Sequence, residues 1–250
     1  HQPLTLAPGI SATFRDAGHI LGAASILVTL RGREGPVRVL FSGDLGRPDR
    51  PILHDPEPPP AADYVVVEST YGDRLHDRRD VEEQFAEVIN ATVARGGNIV
   101  IPSFAVERTQ EVLPPLRRLP EAGRIPPLVT FLDSPMGAAV TRLFRRYPGL
   151  LDPDVAAQFG RRRSPFEFPS LQIIDTVEAS KAINEVRGST IIIAGAGMCN
   201  GGRVVHHLSH NLGRAESTVL FVGYQAPGTL GRAIVDGEPV VHIFGEPHAV

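Results

Sequence analysis

Ser189–Leu212 reads STIIIAGAGMCNGGRVVHHLSHNL, and its change of character partway along decides the fold. An uncharged, β-branched run of isoleucines breaks at a glycine-rich turn, and a segment with helical spacing of apolar residues follows. The same rhythm recurs in NIVIPSF before AVERTQEVL, LVTFLDSP before MGAAVTRLFRRY, and TVLFVGYQ before APGTLGRAI. Strand–turn–helix units in series predict a parallel sheet with helices packed on its faces. This α/β domain is expected over residues 71–232.

Upstream the punctuation differs. Ile10–Arg15, Ser25–Leu30, Val37–Phe41 and Tyr64–Val67 read as short strands separated by Gly, Pro and Asp, so residues 1–70 form a strand-rich first domain with few helices. The run RPDRPILHDPEPPPAAD (Arg47–Asp63) is too rich in proline for a regular element and is expected to be a surface loop. RRYPGLLDPDVAAQFGRRRSPFEFP suggests a helical hairpin around a charged turn, and EPVVHIFGE returns to strand character. The last segment, 233–250, is expected to rejoin the first domain. No internal repeat is visible.

Composition narrows the function classes. A chain of 250 residues that is 42% hydrophobic, with no long uncharged apolar run, is expected to be a soluble globular protein rather than a membrane one. No secretory signal is visible, so the expected compartment is the cytoplasm. The single Cys199 excludes an intramolecular disulfide framework and fits a reducing compartment. A formal charge of -3 argues against a generally basic nucleic-acid coat. Almost all the positive charge is nonetheless arginine, with Lys181 the only lysine, and the planar guanidinium suits phosphate.

Three strands of the first domain each run into one residue able to do chemistry: ATFRDAGH into His19, VRVLFSGD into Asp44, and DYVVVESTYGD into Glu68. Imidazole and carboxylate are natural ligands of first-row metals. Each residue alone is better explained by a turn or a local hydrogen bond. VVHHLSHNL sets His206 and His210 four residues apart on one helical face, but no acidic residue lies between them as in a His-Glu-x-x-His site. Its histidines, His207 included, are read as packing or capping residues, and neither His242 nor His248 as a ligand.

RDAGHILGAAS, FSGDLGR and VVVESTYGDR, followed in order by IPSFAVERTQEVL, FLDSPMGAAVTRLF, AGAGMCNGGRVVHHLSHNL and FVGYQAPGTLGRAIVDG, resemble the metallo-β-lactamase superfamily. Within it they resemble the β-CASP branch of nucleic-acid-processing nucleases, in particular its bacterial and archaeal ribonucleases and the kindred endonuclease that cuts messenger precursors before polyadenylation. The resemblance implies part of an αββα sandwich over 1–70, an inserted β-CASP domain over 71–232, and a return to the sandwich over 233–250. It also implies that His19 is a zinc ligand and that Asp44 is a catalytic carboxylate bridging two zinc ions. Glu68 becomes the acidic residue that, with a histidine partner, assists protonation of the leaving oxygen. Two metal ions about 3.5–4 Å apart stabilise both the attacking and the departing oxygen of a phosphodiester.

The family's His-x-His-x-Asp-His motif is absent from this sequence, as are its later histidine motifs, so the resemblance implies an incomplete zinc site and an isolated chain that is inactive. Ligands of open parallel sheets bind beyond the carboxyl ends of the strands, which points to Ser103 and Phe104, Asp133 and Ser134, the turn with Gly197, Gly201 and Gly202, and Gln225. GAGMCNGG brings backbone amides to a helix start as a phosphate cradle, with Arg108 and Arg203 as phosphate-binding side chains. The expected protein is thus a zinc-dependent ribonuclease acting on RNA in a cleft between two domains, in endonuclease or exonuclease mode, with a homodimer left open. The alternatives are an RNA-binding scaffold without catalysis, a DNA-processing nuclease of the same branch, and a small-molecule hydrolase, which needs no inserted α/β domain.

Overall fold

The computed structural model describes residues 2–75, 79–160 and 164–250. In chain order it begins with strands β1 (Leu4–Ala7), β2 (Ile10–Asp16), β3 (Ala24–Arg31), β4 (Pro36–Phe41) and β5 (Tyr64–Val66). There follow α1 (Val81–Ala94), β6 (Ile99–Pro102), α2 (Arg108–Glu121), β7 (Thr130–Asp133), α3 (Pro135–Arg146), α4 (Pro153–Gly160) and β8 (Leu171–Ile173). The chain continues through α5 (Val177–Ala182), β9 (Ile191–Ala194), α6 (Arg203–Asn211), β10 (Thr218–Val219), α7 (Leu230–Val235), β11 (Val240–Ile243) and β12 (Glu246–Ala249). Two compact units result: His1–Arg78 with Tyr147–Ala157, and Arg79–Arg146 with Gln158–Val250.

The first unit is a five-stranded sheet in the order β1-β2-β3-β4-β5. β1 to β4 pair antiparallel, and β5 joins β4 in parallel. The expected strands appear within a residue or so of their bounds, and β1 is an addition that LTLA between Pro3 and Gly9 was too short to announce. The proline-rich loop after β4 lacks regular structure, as expected, yet it is anchored: Ile52 and Leu53 are buried. Leu53 bridges Leu151, and the Asp152 amide donates to the Ile52 carbonyl at 2.8 Å. Those contacts hold Tyr147–Ala157 to this unit and replace the expected helical hairpin. The segment is a 3-10 turn over Pro148–Leu150 running into α4, and 164–170 carries no helix. The charged turn expected at 161–163 lies outside the described residues.

The second unit is the parallel sheet read from the sequence, in the order β10-β6-β9-β7-β8. Every residue of β6, β7 and β9 is buried, as a sheet covered on both faces requires. α2 runs through Pro114, Pro115 and Pro120 although each interior proline costs a helix about 3 kcal/mol. Val112, Leu113, Leu116 and Leu119 are buried along the same helix, each favouring the packed state by about 1.5–3 kcal/mol. Tertiary packing therefore carries α2 past the point where its sequence would stop it.

The last strands do not rejoin the first sheet, contrary to expectation. β11 and β12 form a separate antiparallel hairpin. Val241 and Ile243 are buried in the same apolar cluster as Ile192, Val204, Leu208 and Ile234, which fixes the hairpin to the second unit.

Ile193 lies in the middle strand of this sheet with no exposed surface. Ile193→Ala is expected to lower the free energy of unfolding by about 2–5 kcal/mol, measured as an earlier urea midpoint with an unchanged slope.

Candidate functional site

Strand direction brings the three first-domain candidates together. β2 is antiparallel to β3 and β3 to β4, so β2 points the same way as β4 and its parallel neighbour β5. Their carboxyl ends share one end of the sheet, and His19, Asp44 and Glu68 follow those ends. His19 Nε2 lies 4.0 Å from Asp44 Oδ2. The Glu68 carboxylate accepts from the Thr70 amide at 2.8 Å and also takes the Leu45 amide beside Asp44.

Close backbone approach and one buried hydroxyl hold these loops. The Gly46 amide donates to the Ala17 carbonyl at 2.7 Å, and a Cβ at Gly46 would run into the Gly18 carbonyl. Gly18 has φ +61°, and a Cβ there would meet Pro56 at 2.8 Å, so both glycines are there for space and conformation. Arg50 donates to the His19 carbonyl at 2.8 Å. Buried Ser42 ties the other two loops, its amide donating to the Val66 carbonyl at 2.9 Å while its Oγ accepts the Glu68 amide at 3.0 Å. Ser42 went unremarked in FSGD because its partner is distant in sequence.

The Thr70 amide holds the Glu68 carboxyl below its ordinary 4.5, against a smaller upward push from desolvation, with the Leu45 amide and His19 adding to the lowering. Glu68 is therefore a carboxylate at neutral pH, suited to accept a hydrogen bond or hold a cation. His19 and Asp44 are half-exposed and exposed donors of the right kinds for a transition metal. They fit part of a metal site, but a zinc centre takes three or four protein ligands. Among the described residues no group of three or more histidine, cysteine, aspartate or glutamate side chains is placed to hold an ion.

In the second unit Ser103, Asp133 and the Gly195 turn sit side by side at the carboxyl ends of β6, β7 and β9. A Cβ on Gly195 would stand 3.6 Å from both the Ser103 carbonyl and Ser134 Oγ. Most of the polar groups here are engaged internally. Ser103 Oγ shares a hydrogen bond with Thr109 Oγ1 at 3.1 Å, and Ser134 Oγ caps α3 by accepting the Gly137 amide at 3.1 Å, with Pro135 at the first helical position. Gln225 Nε2 donates to the Gly197 and Gly223 carbonyls, at 2.9 and 3.2 Å. In the glycine turn the amides of Ala196, Cys199 and Val204 donate to the carbonyls of Gly201, Ala196 and Gly195. Gly202, at φ +74°, lies too close to Gly195 to carry a side chain. Gly201 has open space where a Cβ would stand, and Gly197 backs the Phe104 ring. Arg108 pairs with Glu111 at 2.7 Å.

Asp133 has no exposed surface. Its Oδ2 accepts from Ser180 Oγ at 2.5 Å and lies 2.6 Å from His207 Nε2, and its Oδ1 accepts from Arg203 at 2.6 Å. Arg203 also donates to the carbonyls of Ile174 and Asp175. Burial pushes the Asp133 carboxyl up, but the hydrogen bonds from His207, Ser180 and Arg203 outweigh it and leave it below its ordinary 3.8. The structure thus places Asp133 and Arg203 in one buried network. Its other members, His207 and Ser180, carried no signal in the sequence beyond their types. His206 stacks on Phe244 with ring centroids 4.7 Å apart, and His210 Nδ1 lies 2.8 Å from the His206 carbonyl, as packing and capping residues do. No described helix is long and apolar enough to cross a membrane.

A Beta-Casp domain model matches residues 109–234. The parallel sheet, the order of its turns and this match agree, and the chain belongs to the β-CASP family of the metallo-β-lactamase superfamily. It is 40% identical over 238 residues to "Ribonuclease TTHA0252" of Thermus thermophilus, an alignment covering 95% of this chain and 54% of that protein. It is 34% identical over 247 residues to "Transcription termination factor FttA" of Methanosarcina mazei, covering 96% of this chain and 38% of that protein. It is 28% identical over 253 residues to "Endoribonuclease YSH1" of Mycosarcoma maydis, covering 98% of this chain and 28% of that protein. The chain spans about half the length of the first of these relatives and less of the others.

Removing the Asp133 carboxylate leaves Arg203 without its buried counter-charge. Asp133→Ala is expected to cost about 3–5 kcal/mol. Because the native carboxyl lies below 3.8, its contribution is complete above that pH and is lost as pH falls through 3.8 to the native value. Denaturant titrations at pH 7 and pH 3 are expected to show a smaller acid loss in Asp133→Asn than in the wild type.

Proposed function

We propose that the protein is a ribonuclease that hydrolyses RNA phosphodiester bonds, with zinc at a centre to which His19 and Asp44 contribute two ligands. The observation that carries this reading is the convergence of His19, Asp44 and Glu68 on one end of a sheet, in a chain of the β-CASP family. A divalent metal at such a centre supplies Lewis-acid activation of water and of the phosphoryl oxygens. His19 and Asp44 hold and orient, and the backbone lacing at Gly18, Ser42 and Gly46 fixes their spacing. Glu68, ionised, accepts a hydrogen bond from the group that delivers the proton to the leaving oxygen. RNA is favoured over DNA by the relatives, two of which are named as ribonucleases.

The donor count bears on where activity resides. With the two ligands found among the described residues, this 250-residue chain is expected to hold zinc weakly and to cut RNA poorly, and a complete centre needs further ligands.

The test pairs zinc content by elemental analysis with cleavage of a 5′-labelled RNA, on the full-length protein and on this chain. The full-length protein is expected to hold about two zinc ions and to cut. Asp44 has 75% of its side chain exposed, so Asp44→Ala is expected to leave stability within about 0.5 kcal/mol. Its turnover should fall by more than the roughly 100-fold lost at an outer-shell partner of a metal. Normal turnover in Asp44→Ala would refute the mechanism.

A further inference from the structure

We infer that Phe104 is a stacking platform for a nucleobase of single-stranded RNA, with Arg108 beside it to take the neighbouring phosphate. This rests on the ribonuclease reading and names a residue that engages its substrate.

Phe104 follows β6 at the carboxyl edge of the parallel sheet and keeps 39% of its surface exposed. A lone exposed phenylalanine is ordinary; the way this one is held is not. A Cβ built on Gly197 would stand 2.6, 2.7 and 2.8 Å from Cδ2, Cε2 and Cγ of the ring. Three adjacent ring atoms at nearly equal distance put that point over the ring face rather than off its edge. The Gly197 backbone is therefore laid against one face of Phe104, and any larger residue at 197 would displace the ring. Gly223 also approaches the ring, since a Cβ there would come within 3.3 Å of Cε2 and 3.6 Å of Cδ2.

The backbone under the ring is fixed as well. The Phe104 carbonyl accepts from the Thr109 amide at 3.1 Å and from Thr109 Oγ1 at 2.7 Å, and Thr109 is fully buried. The glycine that backs the ring is tied in turn, since the Gly197 and Gly223 carbonyls both accept from the buried Gln225 amide. A rigid aromatic face held at a sheet edge is what stacking needs, because every base presents a π-face and little ordering entropy is left to lose.

Arg108, in the first turn of α2, brings its Nε to 3.9 Å from the Cβ position of Gly223, the same glycine that approaches the ring. Glu111 occupies one edge of that fork, and a guanidinium carries five donors. An aromatic face with a cationic fork beside it suits a base and its adjoining phosphate together.

The experiment measures fluorescence anisotropy of the full-length protein with two labelled RNAs of about a dozen nucleotides, one of mixed sequence and one abasic throughout. Wild type is expected to prefer the base-containing RNA. Phe104→Leu should weaken that RNA about fivefold or more and leave the abasic RNA unchanged, while Phe104→Tyr stays within about twofold of wild type. The thermal midpoint of Phe104→Leu should match wild type. Equal loss on both RNAs, or no loss on either, overturns the stacking role while the ribonuclease reading stands. Wild type that binds neither RNA overturns both.

Discussion

A carboxylate with no atom in water costs several kcal/mol unless donors and a counter-charge reach it, and Asp133 imposes that requirement at the end of a strand in the parallel sheet. Three donors answer it: Ser180 from α5, with Arg203 and His207 from α6. They are spaced so that α6 presents two of its residues, one turn apart, to one carboxylate. The helix start is thereby set, and with it the glycine turn that leads from β9. Arg203 extends the tie to the carbonyls after β8. One buried charge thus fixes two helices and two strand ends against each other, and the Gly195–Gly202 turn has little freedom to take another path.

The first unit uses a different device. Its loops are held by backbone contacts where glycine removes the side chain, as at Gly18 and Gly46, and by Ser42 between β4 and β5. The chemistry-bearing side chains remain comparatively open: His19 and Asp44 are partly or largely exposed, and Glu68 is fixed through amides rather than through buried partners. Rigid backbone with open side chains is the arrangement that the proposed metal centre would need to bind an ion without repacking.

Much of this was legible in the sequence for identifiable reasons. The buried runs IVIP, TFLD and IIIA announce parallel strands because residues covered on both faces must be apolar throughout, and the glycines after them mark the turns. His19, Asp44 and Glu68 were legible because each ends a strand. Their proximity was not, since it depends on β5 pairing parallel to β4, a long-range choice with no local signal. α2 was legible at its start and hidden at its end, because packing of Leu113, Leu116 and Leu119 overrides prolines that would stop an isolated helix. The hairpin β11–β12 was misplaced for a related reason. Alternating residues specify a strand but not the sheet it joins, and Val241 and Ile243 settle that by entering the core of the second unit.

Residue type alone also failed to separate binding side chains from internal ones at the carboxyl edge of the parallel sheet. Ser103, Asp133, Ser134, Arg203 and Gln225 all look like ligand residues by position, and all have internal hydrogen bonds that explain them. What distinguishes Phe104 is the reverse pattern. Glycines at 197 and 223 leave room for the ring, its carbonyl is doubly held, and 39% of its surface stays exposed. In a protein interior such fixing accompanies burial, because packing supplies the energy that holds a side chain still. Here the ring is held against the Gly197 backbone and yet keeps 39% of its surface exposed, which is what the proposed stacking role requires. Among residues at a strand end, the informative ones are therefore those whose surroundings are organised around them without burying them.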